Sequence, residues 1–203
     1  MNKFTKKDLA FSVITGFITG LVAWRIFEFL GIARFQNISF AWLMIFVPLL
    51  WICGVNLGYF LGRWVKFFNQ FGKFAAIGFT NAMVYFGILN ILIHFTGFNR
   101  GVWYSAFVAG SFVIAVAHSY IWNKLWVFES AAGKMSRKEF SKFFGVYLVA
   151  GFINVGIASG VVNFASPWFG LTLDQWANFG GIAGSAVALV FSFIGLKSAV
   201  FRK

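Results

Sequence analysis

The chain has 203 residues, 60% of them hydrophobic, 22% aromatic and 11% charged, with a mean hydropathy of +0.81, whereas a soluble domain carries about 25% charged residues. Its 30 Phe and 9 Trp supply more apolar surface than a soluble fold of this size could bury without large exposed patches, which excludes soluble, disordered and coiled-coil classes and leaves an all-α polytopic membrane protein. A lone cysteine, Cys53, lies inside an apolar stretch and excludes an internal disulfide, a Cys-based zinc site and a CxxC pair.

A membrane-spanning helix needs roughly 20 mainly apolar residues, and six stretches reach that length: 9–33, 40–62, 74–96, 102–123, 143–165 and 176–196. The first follows Lys3, Lys6 and Lys7 as a secretory signal would, but it is long, lacks an A-x-A cleavage site and precedes five more stretches, so it reads as a retained helix. It carries Arg25 and Glu28, which share one helix face at i, i+3 past the middle of the span. Asn56 belongs to the second stretch. Lys73 opens the third, which holds Asn81 and Asn90; Asn81 lies about 12 Å along the helix from Lys73 at 1.5 Å per residue. His118 lies about 9 Å before Lys124 at the end of the fourth stretch, next to Asn123, so Asn81 and His118 have similar depths. Asn154 and Asn163 lie in the fifth stretch, and the glycines of 180–195 favour close helix packing in the sixth.

The net charge of +12 would suggest a nucleic-acid partner in a soluble protein. Here 14 of the 17 Lys and Arg fall at the N-terminus, second loop, fourth loop and C-terminus, whereas Arg34 and Arg100 lie on the other side and Arg25 within a helix. The positive-inside rule then places both termini in the cytoplasm. The same basic face would attract anionic lipid headgroups, and no nucleic-acid partner is expected.

Two motifs recur in step. Gly16-Phe17-Ile18-Thr19, Gly78-Phe79-Thr80-Asn81 and Gly151-Phe152-Ile153-Asn154 are spaced by 62 and 73 residues. Ser119-Tyr120-Ile121-Trp122-Asn123-Lys124 returns as Ser192-Phe193-Ile194-Gly195-Leu196-Lys197, again 73 residues on, with a weaker echo at Gly58 to Arg63. Three tandem helical hairpins account for both spacings: an N-terminal transmembrane hairpin at 1–72, the degenerate copy, then hairpins at 73–133 and 140–203.

Residues 73–203 resemble the GtrA-like family of small four-helix membrane proteins. The resemblance rests on Lys73-Phe74 followed by Gly78 and Asn81, the helix exit Asn123-Lys124-Leu125-Trp126-Val127-Phe128, Lys142-Phe143 with Gly151 and Asn154, and Lys197 with Val200-Phe201. It departs from the family in having Lys124 where Arg is usual and in the additional N-terminal pair of spans. What the resemblance implies is translocation, or flipping, of a polyprenyl-phosphate-linked sugar, such as an undecaprenyl-linked one, across the bacterial inner membrane for cell-envelope polysaccharide glycosylation.

On that implication the phosphate and sugar head must cross about 30 Å of hydrocarbon and needs polar company. The residues expected to supply it are Lys73, Asn81, His118, Asn123, Lys124 and Asn154, with Arg25 receiving phosphate on the outer half. The alternative for each Asn is helix-to-helix hydrogen bonding, for Arg25 a structural ion pair with Glu28, and for His118 a hydrogen-bonding strut. Asp8, Glu28, Glu129, Glu139 and Asp174 make no paired-carboxylate site, no residues are spaced for a metal, and no nucleotide-binding glycine loop is present. The expectation is therefore a non-enzyme without cofactor or metal. Its partners are the polyprenyl-phosphate sugar, membrane lipids, a membrane glycosyltransferase and further copies of itself. The competing readings are a non-transporting anchor or assembly partner for that glycosyltransferase and a small solute or ion transporter.

Overall fold

A computed structural model describes residues 3–32, 38–127 and 137–195, apart from the side chains of 123–124, 137–140, 142–143 and 193–195. Six long helices follow one another: α1 (Lys6–Phe29), α2 (Leu43–Leu61, entered through the short 3-10 turn Phe40–Trp42), α3 (Phe68–Thr96), α4 (Gly101–Trp122), α5 (Arg137–Phe164) and α6 (Leu173–Gly195). Five of them, α1 to α5, contain segments long and apolar enough to cross a membrane. Their ends lie close to the six expected stretches, with α3 and α5 starting earlier because a helix continues through Gln70 and Lys73 as readily as through apolar residues.

The chain divides into two compact units, one of residues 1–87 with 117–132 and one of 88–116 with 133–203. In the first, α1 packs on α2 through a face that is small and polar rather than greasy: Asp8, Ser12, Thr15, Gly16, Thr19 and Gly20 are buried. Leu9, Val13, Ile14 and Phe17 on the other face are exposed. This inversion of the soluble pattern is what lipid dictates, since apolar side chains lose nothing by facing acyl chains and small residues let backbones approach. A Cβ on Gly16 would come within 2.5 Å of Pro48 Cα, and one on Gly20 would collide with the Leu43 carbonyl. Gly58 and Gly72 make the same close approach between α2 and α3. The Thr19 hydroxyl, donating to Thr80 Oγ1 at 2.9 Å, links α1 to α3.

In the second unit α5 packs on α6, where a Cβ on Gly184 would meet the Asn154 carbonyl. Hydrogen bonds do the rest. Tyr104 donates to the Ala177 carbonyl (2.7 Å), Ser105 and Ser159 share a bond of 2.7 Å, and the amides of Asn90 and Asn178 donate to each other at 2.7 Å each. Shifted back by 73 residues, α6 would run from 100 to 122, against 101–122 for α4.

Candidate functional site

Asp8 organises the first unit. Thr5 caps α1 through a reciprocal capping box, its hydroxyl oxygen accepting from the Asp8 amide while its own N–H donates to Asp8 Oδ2 at 2.9 Å. A capping carboxylate usually faces water. This one is 2% exposed, and the Thr5 hydroxyl (2.8 Å), Tyr59 hydroxyl (3.0 Å), Trp126 Nε1 (2.9 Å) and Lys73 Nζ (2.6 Å) all converge on its two oxygens. Four segments thus meet at one acceptor: α1, α2, α3 and the π turn Asn123–Val127 that ends α4. A π turn holds more residues than an α turn and re-aims those that follow, and here Trp126 and Val127 are buried. Two of its donors are part of an apolar cluster: Trp126 lies within it, with Val47, Trp51, Val55, Ala76, Ile77 and Val127, and Tyr59 packs against it. In such surroundings an ionised carboxylate persists only with its charge paired and its lone pairs filled.

Lys73 is therefore a paired cation. Its side chain is 14% exposed and its ammonium also lies 5.3 Å from the centre of the Tyr59 ring. From the sequence Lys73 is expected to meet the head group, with no counter-ion assigned to it; Asp8, Tyr59 and Trp126 are the residues that expectation lacks. The available signal was Thr5-x-x-Asp8, a capping-box spacing, which accounts for an acidic residue at that position without requiring it to be buried.

Deeper along α3, Asn81 Oδ1 lies 2.7 Å from His118 Nδ1 on α4. The structure brings these two candidates together, as their matched depths in the sequence suggest. His118 Nε2 is buried and has no hydrogen-bond partner. With Nδ1–H donating to Asn81, Nε2 keeps a lone pair to offer; with the ring charged, it is a second donor. Either way this nitrogen retains unused hydrogen-bonding capacity.

The remaining candidates are distributed elsewhere. Asn154 is buried in the second unit and donates to Ser185 Oγ at 3.0 Å, so its partner is a serine on α6, not a histidine as for Asn81. Asn90 is held by Asn178, Asn56 donates to the Ile52 carbonyl, and Asn163 accepts from the Gly101 amide at 2.6 Å. Arg25 is ion-paired to Glu28 at 2.7 Å, with 66% of its side chain exposed, and its guanidinium also lies over the Trp24 ring. The Asn123 and Lys124 side chains lie outside the described residues, as do Arg34, Lys197 and the Val200-Phe201 motif. Among the described residues no cluster of His, Cys, Asp or Glu could hold a metal ion.

Long apolar helices with polar groups turned toward one another inside them define a polytopic helical membrane protein. Residues 73–203 match the family GtrA/DPMS, transmembrane domain, and the chain belongs to that family, with residues 1–72 preceding the matched region. Membership points to a membrane function connected with sugar-linked lipids. Neither a curated protein nor a solved structure gave a significant match.

Proposed function

We propose that the chain moves the phosphate-linked sugar head of a polyprenyl lipid across the bacterial inner membrane, for glycosylation of cell-envelope polysaccharide, and that the Asn81–His118 pair receives the head on its way. The observation that carries this reading is the amide and imidazole 2.7 Å apart in membrane-length helices, with His118 Nε2 buried and unpartnered. A sugar or phosphate leaving water loses several kcal/mol for each polar group left unpaired. His118 Nε2 can accept from a sugar hydroxyl, or donate to a phosphate oxygen when the ring is charged. Asn81 sits beside it with a free share of its amide.

Lys73 enters the same scheme through exchange. Its ammonium already holds a carboxylate, and a phosphate oxygen could take that place while Asp8 keeps the donors from Thr5, Tyr59 and Trp126. In such a swap Lys73 stays paired throughout, while Asp8 gives up its counter-ion and is held by those three neutral donors alone. In this scheme the chain binds and carries without making or breaking a covalent bond.

The test is transfer of a prenyl phosphosugar in reconstituted vesicles. His118→Leu and Asn81→Leu should each lower transfer at least tenfold while weakening the fold by only about 0.6 kcal/mol, the average for a membrane hydrogen bond. Normal transfer by both variants would reduce the pair to helix packing. A wild type that moves no lipid yet binds a membrane glycosyltransferase tightly would put the anchor reading in its place.

A further inference from the structure

The second unit contains a cleft that the carrier scheme does not use. It lies where α3 ends and α4 begins, against the connection from α5 to α6, and is lined by Asn99, Arg100, Ser166, Pro167 and Trp176, among others. The connection bends back through Phe169 and Gly170, both at positive φ (54° and 70°). The indole of Trp168 lies 5.7 Å from that of Trp176, which in turn stacks on Phe179 at 4.9 Å.

Three observations give this cleft a chemistry. Trp176 is 2% exposed, yet its ring N–H has no hydrogen-bond partner. Trp24 and Trp51 also have partnerless ring N–H groups, but neither lines this cleft. The cleft also carries a cation, Arg100: it is exposed, and the ion pairs among the described residues, Arg25–Glu28 and Lys73–Asp8, do not involve it. The nearby carboxylate of Asp174 is instead held by the Asn99 amide at 2.9 Å. Arg100 also immediately precedes the 22-residue helix α4, whose first amides and dipole favour an anion at that end.

Guanidinium and indole are donors without an acceptor site, so their ligand must be rich in acceptors. The cleft measures about 50 Å³, several times the roughly 10–15 Å³ that one water requires. That space takes a phosphate or one edge of a hydroxylated ring, with the remainder of the molecule outside. We infer that this cleft binds a phosphodiester head group bearing hydroxyls, through Arg100, the Trp176 ring N–H and Asn99. This rests on the carrier reading for its meaning, as the place where a head group is held at the far end of α3 from Lys73. The same chemistry is offered by a prenyl phosphosugar and by the glycerol headgroup of phosphatidylglycerol.

Photo-crosslinking tests it without requiring transport. The full chain is placed in phosphatidylcholine nanodiscs with a prenyl phosphosugar carrying a diazirine on the sugar, and crosslinked peptides are mapped. Wild type should crosslink within 165–176. Arg100→Ala and Trp176→Phe should each cut that yield about tenfold, the loss expected for one hydrogen bond to a charged group. Trp176→Phe retains an aromatic ring against Phe179, and Trp51→Phe, which removes a partnerless indole elsewhere, should leave the yield unchanged. Competition by phosphatidylglycerol at equal concentration would make the ligand a bilayer headgroup; competition only by unlabelled phosphosugar would make it the carried head. Absence of crosslinks at 165–176, or undiminished yield in both variants, overturns the inference even if transfer is normal. Crosslinks that persist in a protein shown not to transfer lipid would uphold the cleft and sink the carrier reading.

Discussion

The two compact units solve one problem, polar groups inside apolar helices, in two ways. In the first unit the solution is ionic: a carboxylate and an ammonium at 2.6 Å, with hydroxyl and indole donors filling the remaining lone pairs. In the second it is built mainly from neutral groups, the Asn90–Asn178 amides and the Asn154–Ser185 pair. Neutral pairs fail gently, because an orphaned amide loses a hydrogen bond. An orphaned buried charge loses its only means of staying charged. The difference locates the first unit's fragility at a single side chain, whereas the second spreads it over several.

The comparison can be broken most severely at Asp8. Asp8→Ala leaves the Lys73 ammonium, only 14% exposed and over the Tyr59 ring, without its counter-ion, and should lower stability by about 3–5 kcal/mol, read as a fall in the thermal unfolding midpoint in detergent. Adding Lys73→Met should restore a large part of that loss. If the double variant is no better than the single one, the pair is not what holds the segments together.

At the next level, Asn178→Leu takes from the Asn90 amide its partner on α6 and should cost about 1–3 kcal/mol, whereas Asn90→Leu with Asn178→Leu should cost less than the single change. The same unfolding measurement checks both. A double variant that loses as much as the sum of the two singles would show that the amides act separately.

The smallest effects sharpen the contrast between glycines that look alike. Gly20→Ala drives a methyl into the Leu43 carbonyl and should cost about 1–3 kcal/mol, as overpacking does. Gly78→Ala meets open space and should be neutral or stabilising by up to about 1 kcal/mol through helix propensity. Equal losses at the two positions would contradict the packing described for α1 on α2.

That last pair also shows where the sequence stops being legible. Gly16, Gly78 and Gly151 occupy one repeated motif, yet a Cβ on Gly16 would meet the backbone of Pro48, one on Gly78 would meet nothing within 4 Å and one on Gly151 would lie 3.0 Å from the Phe112 ring. Repetition in sequence records common spacing; contact depends on which neighbour each helix meets. The long helices were readable because apolar length is a one-dimensional property, and the end of α3 at Thr96 matches the expected 96. Asn81 and His118 were readable for a related reason, since rise per residue converts position into depth. Asp8 was not. Its meaning depends on Lys73 and Trp126, and no local pattern links a first-turn acid to donors that far along the chain.

That distance sets an order of events during synthesis. Asp8 leaves the ribosome long before its indole donor, Trp126, which lies 118 residues later. At about 5–20 residues per second the interval is on the order of 10 s. Until Tyr59 follows, 51 residues on, and then Lys73, the carboxylate's bonds are those from Thr5, three residues away. The capping box therefore acts first as a temporary shelter, holding an acid at the head of a newly inserted helix until α2, α3 and the end of α4 arrive with the tyrosine, the lysine and finally the tryptophan.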